Sequence, residues 1–232
     1  MQRPLSRGAS LAIVIVVVTA LVTVASYVAP DAYATTAVAA IFLGATYILV
    51  LRHDAEVIRA HGLSLGGIFE PERIDLGRVL KATVRALVVA AIVFTLIVVP
   101  FWYGYRSYNH FTRPFAWRAA MPGAEEVLAQ IFVIALPEEA FYRGYVQSRL
   151  DELVPGRVTI LSLPLTLSLV VTSILFAVCH VLTITNPARL AVFFPSLLFG
   201  ALRAREGGIG ASVLLHAACN LLTATLARGY AH

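Results

Sequence analysis

The stretch Pro137-Glu138-Glu139-Ala140-Phe141-Tyr142-Arg143 sets two adjacent carboxylates and a guanidinium inside otherwise apolar surroundings. Ionisable side chains at membrane depth cost at least a few kcal/mol each and mark functional sites. In a helix, Glu139 and Arg143 are four residues apart on one face, with the acid N-terminal to the base, which is the favourable order. Glu138 points about 100° away from Glu139 and can be aimed at another group. One carboxylate is then a held structural partner and the other a candidate base. A buried ion pair that only fixes helix packing is the plain alternative, but such a pair needs one Glu, not two.

Two later segments carry polar groups in equally apolar settings. Phe176-x-x-x-His180 and His216-x-x-x-Asn220 each have the spacing that puts both residues on one helix face. A lone helical histidine is more often a satisfied core residue than a catalyst. Two His, an Asn, two Glu and an Arg on three hydrophobic helices would each need a separate buried partner. Converging on one site lets them satisfy one another. Glu125 and Glu126 do not belong to this set. They follow Pro122-Gly123 in a first helical turn, where acids complement the helix dipole near water. Cys179 and Cys219 show no CxxC spacing and read as small buried residues.

The elements that must position these side chains are membrane helices. The 232 residues are 59% hydrophobic and 13% charged, about half the charged fraction of a soluble domain. The apolar runs are continuous rather than alternating, which excludes a membrane β-barrel. The fold class is all-α, a polytopic membrane helix bundle of about seven spans: residues 8–30, 32–51, 79–103, 124–149, 158–182, 187–202 and 209–227. Residues 1–120 hold the N-terminal helices and a polar connector, and 121–232 the core with the motifs, in one integral membrane domain. Arg3 and Arg7 precede the first run, and Ala32-Tyr33-Ala34 has the form of a cleavage site. The run exceeds a signal peptide's apolar region and another follows at once, so it reads as a retained helix. Residues 52–78, of mixed charge with Gly66-Gly67 at the centre, read as a solvated or interfacial loop. Trp102, Tyr103, Tyr105, Tyr108, Phe111, Phe115 and Trp117 read as an aromatic belt at the membrane–water interface. Asp151, Glu152, Pro155 and Gly156 end the fourth run.

The net charge of +5 reflects loop asymmetry, not nucleic-acid binding. With seven spans and the N-terminus inside, Arg3, Arg7, Arg52, Arg59, Arg73, Arg78, Lys81, Arg85, Arg149, Arg157, Arg203 and Arg205 lie on the inner side. Arg106, Arg113, Arg118, Arg189 and Arg228 lie on the outer side. This bias favours a cytoplasmic N-terminus. Depth follows from a rise of 1.5 Å per residue through a core of about 30 Å. Glu138 falls about 20 Å below the outer edge and His216 about 10 Å from the inner edge, the same level. A fifth helix starting near Thr159 or Pro164 would carry His180 about 14 Å too far out. The site closes only if that helix begins deeper, with residues 158–169 interfacial, or if the topology differs.

Glu-Glu-x-x-x-Arg (138–143), Phe-x-x-x-His (176–180) and His-x-x-x-Asn (216–220), in that order on successive helices, resemble the CAAX-protease and bacteriocin-processing family of intramembrane proteases. Phe199-Gly200 through Gly207-Gly208 is similar to the family's approach to its last motif. The resemblance covers about residues 120–228. It implies peptide-bond hydrolysis in or near the membrane. Glu138 then resembles the base that activates water, with His180 sharing that water. Glu139 and Arg143 resemble its supporting pair, and His216 and Asn220 the donors to an oxyanion. Amide hydrolysis needs a base, a held water and donors aimed at developing charge. The rival chemistry is zinc held by Glu138, His180 and His216 with one position for water, although no HExxH spacing occurs. The glutamic type, with no cofactor, is the reading adopted.

The implied partners are a membrane-anchored protein or peptide substrate and the lipid bilayer. The composition, with one Lys against seventeen Arg, suggests a high-GC bacterium and its plasma membrane. Residues 141–147 (Phe-Tyr-Arg-Gly-Tyr-Val-Gln) look like a branch that processes C-terminal sorting signals, the myxosortases. A non-enzymatic immunity or scaffold protein would have little reason to keep all six polar residues. A transporter should show inverted repeats or paired broken helices, and neither is evident. The sequence assigns no oligomeric state and no substrate-contacting residue.

Overall fold

The computed structural model describes residues 6–154, 156, 158–160 and 163–231. Arg3, Pro155, Arg157 and residues 161 and 162 of the fifth apolar run lie outside the described residues. The chain is a helix bundle. α1 (Arg7–Val28) starts at Ser6, whose hydroxyl accepts from the Ala9 amide at 3.2 Å. α2 (Asp31–Leu51) follows a turn at Pro30. α3 (Ala55–Ala60) lies in the connector, capped by Asp54. α4 (Leu76–Tyr108) is capped by Asp75. After the short α5 (Trp117–Ala120) comes α6 (124–153), one continuous run in which α and π turns alternate. α7 (Leu167–Thr183), α8 (Phe193–Glu206, led by a 3₁₀ turn) and α9 (Gly210–Tyr230) complete the bundle. Gly207, at φ 72°, ends α8 in the left-handed conformation that lacks a penalty only without a Cβ.

Among the described residues, α1, α2, α4, α8 with its leading turn, and α9 are each long and apolar enough to cross a membrane. Only 6% of α4's apolar window is buried within the protein, so its side chains need an apolar surround outside it. α7 is apolar but shorter, at 17 residues. With its apolar helices packed into one bundle, the chain is an integral membrane protein.

The fifth segment departs from the expected run of 158–182. Residues Val158–Ile160 (β1) and Leu163–Leu165 (β2) form an antiparallel hairpin, with Thr159 opposite Pro164. The helix starts only at Leu167, where the Thr166 hydroxyl accepts from the Leu169 amide at 3.1 Å. Thr166 is a good N-cap and Pro164 is disfavoured inside a helix, so the local chemistry places the boundary there. The Ser168 hydroxyl donates to Asp151 near the end of α6. From that contact, about 18–20 Å of helix rise leads back to Glu138 and onward to His180. α6 and α7 therefore run antiparallel and bring both residues to one level, which removes the depth conflict.

The connector also departs from its expected form. Its residues fold onto the bundle: Ile58 and Leu63 are buried, and Leu63 Cδ2 lies 2.5 Å from where a Cβ on Gly144 would stand. Glu70 is buried among Arg59, Arg78 and Ser64. Its Oε2 accepts from Arg59 Nη1 at 2.9 Å and Arg78 Nη1 at 3.0 Å. Hydrogen bonds from Arg78 and Ser64 hold its carboxyl below the ordinary carboxylate range. Pairing of these charges lets residues 55–70 pack onto the bundle, while residues 71–78 stay exposed as a solvated loop would. The aromatic stretch is partly packed as well. Trp102, Phe115 and Tyr230 cluster, with Trp102 Nε1 donating to the Tyr230 hydroxyl at 3.0 Å.

Candidate active site

The motif helix α6 is not a plain α-helix where it matters. Residues Gln130–Ala135 and Ala140–Gln147 have π geometry, flanking the four-residue α turn Leu136–Glu139. The Leu136 amide bonds back to the Ile131 carbonyl, a five-residue step. Pro137 follows at once, and a proline has no N–H for the carbonyl four residues back. Widened turns of this kind occur mostly at functional sites. Here they present Glu138 and Glu139 to different neighbours.

Glu139 and Arg143 are fully buried and 3.0 Å apart (Oε1 to Nη1). That contact is ionic without hydrogen-bond alignment, because Nη1 has no hydrogen-bond partner among the described residues. Arg143 Nη2 donates to Ser196 Oγ at 2.6 Å and to the Ser196 carbonyl at 3.2 Å on α8. The guanidinium sits 4.5 Å from the Phe176 ring centre and 5.4 Å from that of Phe199. Glu139 Oε1 also accepts from His216 Nδ1 at 2.9 Å. One carboxylate thus bridges a guanidinium and an imidazole, and the Phe199 ring stacks on His216 at 4.9 Å. This orients the His216 ring and leaves its Nε2 facing Glu138 Oε2, 3.8 Å away.

Glu138 Oε2 is buried, has no hydrogen-bond partner among the described residues, and also lies 3.9 Å from His180 Nε2. The His180 Nδ1 is 2.9 Å from the Phe176 carbonyl. A carbonyl can only accept, so Nδ1 carries the proton and Nε2 of the neutral ring is an acceptor. Two acceptors, Glu138 Oε2 and His180 Nε2, therefore face each other across a gap too long for a direct hydrogen bond. A water molecule donating one hydrogen to each fits that requirement. The Glu138 and His180 side chains keep 14% and 19% of their exposure, while Glu139 and Arg143 keep none. The Glu138–His180 pair is thus reachable and the Glu139–Arg143 pair is sealed.

Of the six residues singled out in the sequence, Glu138, Glu139, Arg143, His180 and His216 come together directly. Asn220 stands one turn beyond His216 on α9 and donates through Nδ2 to Gln130 Oε1 at 3.0 Å. Gln130 escaped the sequence reading, although it is the one polar residue between Val127 and Leu136. Ser196 and Phe199 also escaped it, since nothing in their local sequence ties them to Arg143. Cys179 is buried and Cys219 half-buried, both free and outside this hydrogen-bond network. Among the described residues, no group of three or more His, Cys, Asp or Glu is placed to hold a metal ion.

An integral membrane helix bundle with a sealed Glu–Arg–His network and a reachable Glu–His pair is the class of protein defined here. Residues 120–222 match the family model described as type II CAAX prenyl endopeptidase Rce1-like. The match spans all six candidate residues. No curated protein and no solved structure matches the chain. The family is one of CAAX-type intramembrane endopeptidases.

Proposed function

We propose that the chain is an intramembrane endopeptidase of glutamic type, cleaving a peptide bond near the membrane-embedded C-terminal region of protein substrates. The observation that carries this reading is the orphaned Glu138 Oε2, buried and facing two imidazole Nε2 atoms at 3.8 and 3.9 Å. Water held between Glu138 and His180 attacks the carbonyl carbon, and its proton passes to Glu138. The carbonyl π pair moves to oxygen, where His216, in its imidazolium form, and Asn220 donate hydrogen bonds. Collapse of the tetrahedral intermediate breaks the C–N bond, and the leaving amine takes the proton from Glu138. Glu139 stabilises the His216 cation and Arg143 fixes Glu139. No cofactor enters this sequence.

The protein then works on a membrane-anchored protein or peptide, with its N-terminus on the cytoplasmic side of a bacterial plasma membrane. The basic residues of the connector and of the 203–205 region support that orientation. The local sequence 141–147 favours a branch acting on C-terminal sorting signals. Cells lacking the protein would then accumulate unprocessed membrane-anchored tails, and normal processing of every such tail would remove that assignment.

The direct test uses purified protein in lipid or detergent with a candidate tail peptide. Glu138→Gln should lower cleavage about 10²–10⁴-fold, and wild-type activity should survive a strong chelator. Activity lost to the chelator and restored by zinc would make Glu138, His180 and His216 metal ligands instead. Full activity in Glu138→Gln would overturn the protease reading and favour a non-enzymatic immunity or scaffold role.

A further inference from the structure

The Gln130–Asn220 contact joins two amides across α6 and α9 at a level just beyond the Glu138–His216 pair. Gln130 opens the first π turn of α6, and Asn220 lies one helical turn after His216. Their chain neighbours, Ala129, Ile131, Cys219 and Leu221, are apolar. Ile131, Ala217, Ala218 and Leu221 line a groove of about 240 Å³ beside α4. A primary amide can turn over about its last torsion and present either its oxygen or its nitrogen. Only the nitrogen end can stabilise an oxyanion. In these surroundings Asn220 needs a partner that decides which end faces the site.

We infer that Gln130 is a positioning residue for this reaction: its Oε1 accepts one Asn220 N–H and so commits the amide nitrogen, with its second N–H, to the substrate side. This rests on the endopeptidase reading above. A purely structural pair would also hold at 3.0 Å, and the difference is kinetic. Loss of a structural pair lowers stability and leaves the kcat of the folded enzyme unchanged. A positioning residue changes turnover only while Asn220 is there to be positioned.

The test is a double-mutant cycle on the full-length protein with the same tail peptide. Gln130→Met keeps the volume and removes the acceptor. It should lower kcat about tenfold with KM unchanged, and should have no further effect on kcat in an Asn220→Ala background. Gln130→Glu, which keeps an acceptor, should recover most of kcat. Equal kcat losses from Gln130→Met in both backgrounds would overturn the inference, as would a rise in KM with kcat unchanged. Glu138→Gln is assayed alongside. If Glu138→Gln is inactive while the cycle shows no coupling, only the role of Gln130 falls. If Glu138→Gln cleaves like wild type, the endopeptidase reading falls and this role with it.

Discussion

Arg143 shows how one residue ties the site together. Its guanidinium meets Glu139, reaches Ser196 twice on α8, and lies between the rings of Phe176 and Phe199. No Lys could serve all of these at once, because an ammonium lacks the planar fork. Arg143→Met leaves the Glu139 charge buried with His216 as its remaining partner. It should cost about 3–5 kcal/mol by denaturant unfolding in detergent. The double variant Arg143→Met with Glu139→Gln should cost clearly less than the two single changes added, since it removes the stranded charge. Additive costs would mean that the pair does not act as a unit.

At the scale of elements, the close approaches decide where α6 can sit. Gly144 is the one position of the motif helix where Leu63 from the connector fills the space a Cβ would take. Leu63 is itself buried and has little room to turn aside. Gly144→Ala should destabilise the protein by about 1–3 kcal/mol, and Leu63→Ala should relieve much of that in the double variant. The start of α7 is set by Thr166, so Thr166→Ala should cost about 1 kcal/mol. It should also reduce turnover, because the level of His180 is counted from that cap. Both costs can be read from thermal unfolding beside peptide cleavage, and a Thr166→Ala enzyme with unchanged turnover would separate the cap from the site.

For the whole molecule, the connector closes one end of the bundle. The Gly62 carbonyl accepts from the Ile209 amide at 3.0 Å, and Arg203 Nη2 donates to the Ala60 carbonyl at 3.1 Å and Ser148 Oγ at 3.0 Å. His61 stacks nearly parallel on Tyr145, with Glu152, Arg149 and Arg203 in the surroundings. Burial lowers the His61 pKa below its ordinary 6.5. The unfolded chain therefore binds a proton near pH 6.5 while the folded chain does so only at lower pH. Stability is fully present above pH 6.5 and declines as pH falls from there toward the lowered value. His61→Gln should flatten that part of the profile relative to wild type when unfolding is followed from pH 8 to 5. Parallel profiles would show that His61 does not carry the acid sensitivity.

Some of this was legible in the residues themselves. Apolar runs and sparse charge define a membrane helix bundle because a chain in lipid must satisfy its backbone internally. Spacings of four, and the cost of isolated polar groups, single out Glu138, Glu139, Arg143, His180, His216 and Asn220, since local geometry and desolvation act within one helix. What lay beyond the sequence depends on contacts between distant segments. The Thr166 cap and the hairpin before it set the depth of His180, and internal charge pairing turned residues 55–70 of the connector from a loop into a packed closure. Gln130 became the partner of Asn220 across two helices, and Ser196 the acceptor for Arg143. A side chain's local sequence states what it can bond. Only the packing of α6, α7, α8 and α9 decides which partner is within 3 Å of it, because that distance is set by helix register and not by neighbours along the chain.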